Sequence, residues 1–163
     1  MNVIQAIKKA REEYTRICGL NTYFVRDLSE VNDAKEKNYF CKCLKMSGKA
    51  CDLCEQSEKE NYSMALQSEK VQSFACHAGL VKWSVPVDIN GYKGVIVSEG
   101  VITQAQVDEK EHWMETLSED YNVSKAILMD HYDSIRVMNE DEAQLSIRLL
   151  QELLRWYSLQ IKE

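Results

Sequence analysis

Proline is nearly missing from this sequence, with one residue in 163, and there are only six glycines. Loop-rich scaffolds are punctuated far more often, so long regular elements are expected. No apolar run reaches the roughly 18 residues that a membrane helix needs. The first 16 residues carry Lys8, Lys9, Arg11, Glu12 and Glu13, which leaves no apolar segment for a secretory signal. Basic residues are in deficit, 20 Lys and Arg against 26 Asp and Glu, giving a net charge of −6. Such a molecule repels a phosphate backbone, so direct nucleic-acid binding is not expected. Linkers, low-complexity tracts and internal repeats are missing too. The expectation is one cytoplasmic domain over residues 1–163, large enough to bury a core without disulfides.

What is present sorts into helix, sheet and helix. Val3, Ile7, Ala10, Tyr14 and Ile17 alternate by four and three, which makes one helical face, and Gly19 suits the position just past its end. Residues 22–26 are short and β-rich, and 27–38 read as loop or weak helix. Residues 55–70 read as an exposed helix with a thin apolar side at Met64, Ala65 and Leu66. Residues 71–75 and 81–89 read as strands. Asn90-Gly91 marks a two-residue hairpin, because both central positions of a type I′ turn need positive φ. Opposed residues should then have numbers summing to 181: Ile89 faces Tyr92, Val85 faces Ile96 and Trp83 faces Ser98. Asp88 then meets Lys93, and Lys82 meets Glu99, as opposite charges. Trp83, Val85, Val87, Ile89 and Ile96 should form the buried face. Pro86 lacks an N–H and belongs at an edge or bulge.

The last third is helical. Residues 104–120 and 123–135 carry apolar residues at helical spacing, and Asn139 with Glu142 forms a capping box. Ala143, Ile147, Leu150, Leu154, Tyr157 and Ile161 make a stripe that Leu149, Leu153 and Trp156 widen. A helix apolar on most sides is buried on most sides, so a homodimer through the C-terminal helices is expected. The fold class is α+β: an antiparallel sheet with an N-terminal helix and a helical C-terminal third, the helices kept to one face or end.

Five of the six cysteines, Cys41, Cys43, Cys51, Cys54 and Cys76, fall within a short stretch, while Cys18 stands apart as a small core residue. Residues 40–54 offer little to pack, so their order should come from something other than a core. Cys51 and Cys54 have the C-x-x-C spacing that lets two thiolates grip one ion, and Lys42, Lys45 and Lys49 would offset the charge. Zinc and an iron–sulfur cluster both accept four cysteines, and a reversible redox pair is the rival chemistry. His77, next to Cys76, is a candidate ligand or a partner for a nucleophilic Cys76, although no third member of such a site is visible. Glu109-x-x-His112 lacks the companions of a di-iron site.

Cys76-His77-Ala78-Gly79-Leu80, followed by a strand with Pro86, resembles the CHAGL…PI signature of the PocR-type sensory domain. Cys18-Gly19-Leu20, Phe40-Cys41, Cys51-x-x-Cys54, the Gly91 turn and Gly94 are similar to that family in order. The resemblance covers essentially the whole chain. It implies a PAS-like domain that recognises small hydrocarbon derivatives such as short diols within transcription regulators and signalling kinases. By motif match Cys41, Cys51, Cys54 and Cys76 are the shared cysteines, expected to hold one metal ion. Tyr23, His77, Trp83, Tyr92, Glu99 and Trp113 are the expected ligand-binding residues. Where the family has Gly-Gln after the second hairpin strand, this chain has Ser98-Glu99, which changes the polarity of that spot. The reading is a sensor and not an enzyme.

Overall fold

Asn2 starts the first helix. Its side chain accepts from the backbone N–H of Gln5, while the Gln5 side chain accepts from the N–H of Asn2. In a computed structural model that describes residues 1–32 and 38–162, this helix, α1, runs Val3–Cys18. Its inner face is Ala6, Ile7, Ala10, Tyr14 and Cys18. The expected stripe holds as far as Tyr14. The steps of four from Ala6 then carry Cys18 inward, and Ile17 is turned out to solvent. Gly19 ends the helix at φ 77° and donates to the carbonyl of Thr15.

The chain continues as β1 (Thr22–Val25), a 3-10 turn at Leu28–Asn32, α2 (Tyr39–Leu44), α3 (Gly48–Ser68), β2 (Gln72–Ala75), β3 (Val81–Ile89), β4 (Tyr92–Ser98) and β5 (Val101–Ile102). Then come α4 (Gln104–Asp108), α5 (Lys110–Tyr121), α6 (Lys125–His131), β6 (Arg136–Val137) and α7 (Glu140–Ser158). Residues 33–37 of the stretch read as loop or weak helix lie outside the described residues. The class is α+β, as expected, but the sheet is mixed: β5 and β6 run parallel, and the other pairs run antiparallel.

The hairpin register holds from Ile89 opposite Tyr92 to Ser84 opposite Val97. Asn90 and Gly91 both have positive φ, as a type I′ turn requires. The Asp88–Lys93 pair forms at 3.4 Å with both side chains half in solvent, and so contributes little. Beyond the hairpin the register shifts. Val81 faces Val101, which inserts one residue between Ser98 and the start of β5. The expected Lys82–Glu99 pair is therefore not made. Lys82 bonds Glu58, and Glu99 accepts from the N–H and side-chain amide of Asn21. On the other side of β3, β2 pairs only as far as Ser84, so Pro86 sits on the free part of that edge.

The helices do not keep to one face. Trp83, Val85, Val87, Ile89 and Ile96 point at α1 and α7, while Val25, Val95 and Val97 pack on Tyr62 and Ala65 of α3. Covering both faces explains why Lys82 to Val85 are buried in succession instead of alternating. Met64 points outward; Tyr62, Ala65 and Leu66 make the contact. Residues 40–54 do have a core. Phe40, Leu44 and Ala50 are buried among Leu80, Met114, Leu117 and Leu128, because α5 and α6 supply the apolar partners. The expected helix 104–120 breaks at Glu109 into α4 and α5. On α7, Ile147, Leu150 and Leu154 are buried, but Trp156 is 60% exposed and does not widen the inner stripe.

Gly94 is where the sheet is tightest. A Cβ there would lie 2.5 Å from the Phe24 ring and 2.7 Å from the carbonyl oxygen of Val25. Gly94→Ala should therefore destabilise the protein by about 1–3 kcal/mol, and a thermal-melting midpoint equal to wild type would refute this.

Candidate functional site

Three segments bring the cysteines together. Asn38 caps the short α2 by accepting from the N–H of Cys41, which fixes the turn that carries Cys41. Helix α3 starts at Ser47 and presents Cys54 and Glu58, one turn apart, on the side facing the sheet. The turn between β2 and β3 supplies Cys76 and His77. Here Gly79 has φ 89°, its N–H donates to Cys76 at 2.9 Å, and the N–H of Cys76 donates to Leu80 at 2.8 Å. Two side chains from outside brace this turn. Gln106 donates to the carbonyl of Gly79 at 2.8 Å, and the Trp113 indole donates to that of Ala78 at 3.0 Å.

Cys41, Cys54 and Cys76 line one cavity of about 20 Å³, with Phe74 and Leu80 as apolar wall and Lys45, Glu58 and Lys82 as charged wall. That is room for one water-sized guest. Cys51 is not among them. It is exposed, and its thiol donates to the carbonyl of Lys45 at 3.1 Å. Cys43 packs against the cluster around Phe40. For a metal ion the fit is incomplete: three thiols share a cavity, but among the described residues no three His, Cys, Asp or Glu side chains converge closely enough to hold one.

His77 does not pair with its neighbour Cys76, nor with the Gly79 turn. Its Nε2 lies 2.8 Å from Cys54 Sγ, and its Nδ1 lies 2.6 Å from the Tyr121 hydroxyl. The Tyr121 hydroxyl is also 3.4 Å from the His77 carbonyl. One arrangement uses every hydrogen along this chain. The Cys54 thiol donates to Nε2, Nδ1–H donates to Tyr121, and Tyr121 donates to the carbonyl of His77. Burial pushes the Cys54 thiol up to about 11, with Cys76 and Glu58 adding to the rise and Lys45 and Lys82 partly offsetting it. Burial, then Lys45 and Lys82, hold His77 below its ordinary value. Both shifts favour the neutral thiol and neutral imidazole that this arrangement requires.

Glu58 and Lys82 form an ion pair at 2.7 Å, with side chains only 11% and 9% exposed. Burial alone would raise the Glu58 carboxyl. The Lys82 charge and hydrogen bond, a bond from Tyr23 and the Lys45 charge outweigh it and hold the group below its usual range.

The four expected aromatic residues do not share a cavity. Trp83 is sealed in the core beside α1 and α7, and Tyr23 lies on the α3 side near Glu58. Tyr92 closes the hairpin end under the Arg26 guanidinium, and Trp113 braces the turn. Glu99 has both oxygens engaged by Asn21. Glu58 and Tyr121 were not singled out from the sequence, while Lys45 was named only as a charge offsetting the thiolates and Lys82 only as a partner for Glu99. The one signal that could have found Glu58 is its place one helical turn after Cys54.

A family model described as the sensory domain found in PocR matches residues 3–160. Comparison with curated proteins and with solved structures returns no match.

Proposed function

The chain belongs to the family of sensory domains found in PocR, and on that premise we propose that its sensing centre is the cavity between α2, α3 and the β2–β3 turn. The observation that carries this reading is the meeting of three thiols, an apolar wall and a buried ion pair at one point. A short diol or related hydrocarbon derivative suits that lining, with carbon against Phe74 and Leu80 and hydroxyls toward Ser57 and Lys45. The space present holds little more than a water, so a diol enters only as α2 and α3 part. The ligand then selects the more open packing. Trp113 and Tyr121 tie the β2–β3 turn to α5, so α5 is the first helix to feel the change and pass it to a transcriptional or signalling output. Calorimetric titration with short alcohols, diols and acids should give saturable heats. No binding across the set would sink the proposal.

A bound metal is the second reading: three cysteines line one cavity, and their thiols would have to draw closer together to hold an ion. Zinc would take Cys41, Cys54 and Cys76, with Cys51 as fourth ligand once its thiol leaves the Lys45 carbonyl; an iron–sulfur cluster or a reversible disulfide is the redox version. Elemental analysis of untagged protein separates these. About one zinc per chain supports the first, iron with sulfide and visible colour supports the second, and neither element removes both metals.

No helix of the described residues is long and apolar enough to cross a membrane, and we place the domain in the cytoplasm. Leu145 and Trp156 on α7 and Leu159 just past its end are exposed and Leu149 is half-buried, at steps of four, seven and three. That heptad-like spacing suits a second copy of the same helix. Sedimentation at micromolar concentration should give a dimer mass, and a monomer mass would reject the pairing.

A further inference from the structure

Recognition of an alcohol by hydrogen bonds has no use for a thiol whose proton is already committed to a base. Yet Cys54 Sγ lies 2.8 Å from Nε2 of His77, with the ring held from behind by Tyr121 at 2.6 Å, and the arrangement that uses every hydrogen has the thiol donating to the imidazole. A nucleophile, a base in reach and a third group that orients the base are the parts of general-base catalysis, in which a thiol that rests neutral gives up its proton only as it adds. Cys54 lines a cavity that Lys45 lines as well, and the Lys45 charge is felt at the thiol. We propose that Cys54 captures a small aldehyde, of one to three carbons, as a reversible hemithioacetal. The inference rests on the cavity being the sensing centre and names the chemical class that it takes.

The step balances without any co-reactant. Cys54 Sγ adds to the carbonyl carbon as the thiol proton moves to Nε2 of His77. The π electron pair shifts to the carbonyl oxygen, beside the positive charge of Lys45. The imidazolium then returns the proton to that oxygen. The product is a neutral S–C–OH adduct, and His77 ends neutral as it began. No leaving group departs and nothing is oxidised, so the same steps in reverse release the aldehyde. The cavity of about 20 Å³ sets the size preference: a one-carbon aldehyde comes nearest to fitting it as it stands, and two- and three-carbon aldehydes enter, like a diol, as α2 and α3 part.

The experiment uses the full chain with carbon-13-labelled acetaldehyde, read by carbon NMR. Wild type and Cys51→Ala should both show a new tetrahedral carbon signal, distinct from the free hydrate and from lysine imines. Cys54→Ala should lose it. Cys54→Ser, nearly isosteric with the native residue and checked for folding by circular dichroism, should lose it as well. His77→Gln should keep the signal but form the adduct at least about tenfold more slowly, as loss of general acid–base help dictates. A signal that survives in both folded Cys54 variants overturns the proposal, as does its absence from wild type. Calorimetry with 1,2-propanediol tells the two failures apart. Diol binding without an adduct leaves the sensing centre standing and removes covalent capture, whereas absence of both removes the sensing centre too.

Discussion

Lys82→Met should lower folding stability by about 3–5 kcal/mol, because it leaves the Glu58 carboxylate buried without its cation. In a chain of this size that is a drop in melting midpoint on the order of 10 °C. The double variant Glu58→Leu with Lys82→Met should recover most of the loss, since two apolar side chains of similar volume carry no desolvation cost. The pH dependence supplies a second check. In the wild type the folded Glu58 carboxyl titrates below the unfolded value of about 4.3. Its contribution is therefore present above that value and is lost as pH falls through the folded one. In Lys82→Met the sign reverses. A buried, unpaired carboxyl titrates higher when folded than when unfolded, so the variant loses stability as pH rises. The gap between wild type and variant should then be wider at pH 7 than at pH 4. A constant gap would show that the pair is not what Lys82 contributes.

Trp83→Ala should also cost about 3–5 kcal/mol, read from denaturant midpoints at unchanged slope. The side chain is wholly buried between the sheet, α1 and α7, so its removal opens a large cavity. Trp83→Phe should cost less than half as much. Phenylalanine keeps an aromatic ring in the same space and forfeits only the outer part of the indole with its contact to the Tyr14 hydroxyl. The bond that matters at this residue, from its backbone N–H to Ser98 Oγ at 3.1 Å, is kept in either variant. Equal losses for the two variants would refute the opened cavity as the source of the cost.

The hairpin was legible because its determinants are local. Two residues that tolerate positive φ fix the turn, and the turn fixes every pair as far as Ser84. The error began where a local rule was extended past its range. A single inserted residue near Glu99 moved Lys82 away from that carboxylate and left it to Glu58, on a helix the reading had placed in solvent. Residues 40–54 looked core-less for a similar reason. Phe40, Leu44 and Ala50 are few, and they suffice only because α5 and α6, some 70 residues later, bring the rest of the cluster. Within the site, the family resemblance named Cys41, Cys51, Cys54 and Cys76 together, and three of the four line one cavity, whereas the exclusion of Cys51 was not legible. Cys51 and Cys54 are three residues apart on α3, and which of them faces inward depends on how that helix is rotated over the sheet. The link from His77 to Cys54 spans 23 residues and the link to Tyr121 spans 44, so no sequence spacing announces either one.

The pairing of α1 with α7 brings Glu13 within 2.5 Å of the Tyr157 hydroxyl, across 144 residues of chain. During translation α1 is made well before α7, the surface that covers it. Until then Ile7, Ala10 and Tyr14 have only the sheet to cover them, and the nascent chain presents an oily flank to chaperones. A message truncated ahead of residue 140 should therefore yield a polypeptide that is degraded instead of a smaller working domain.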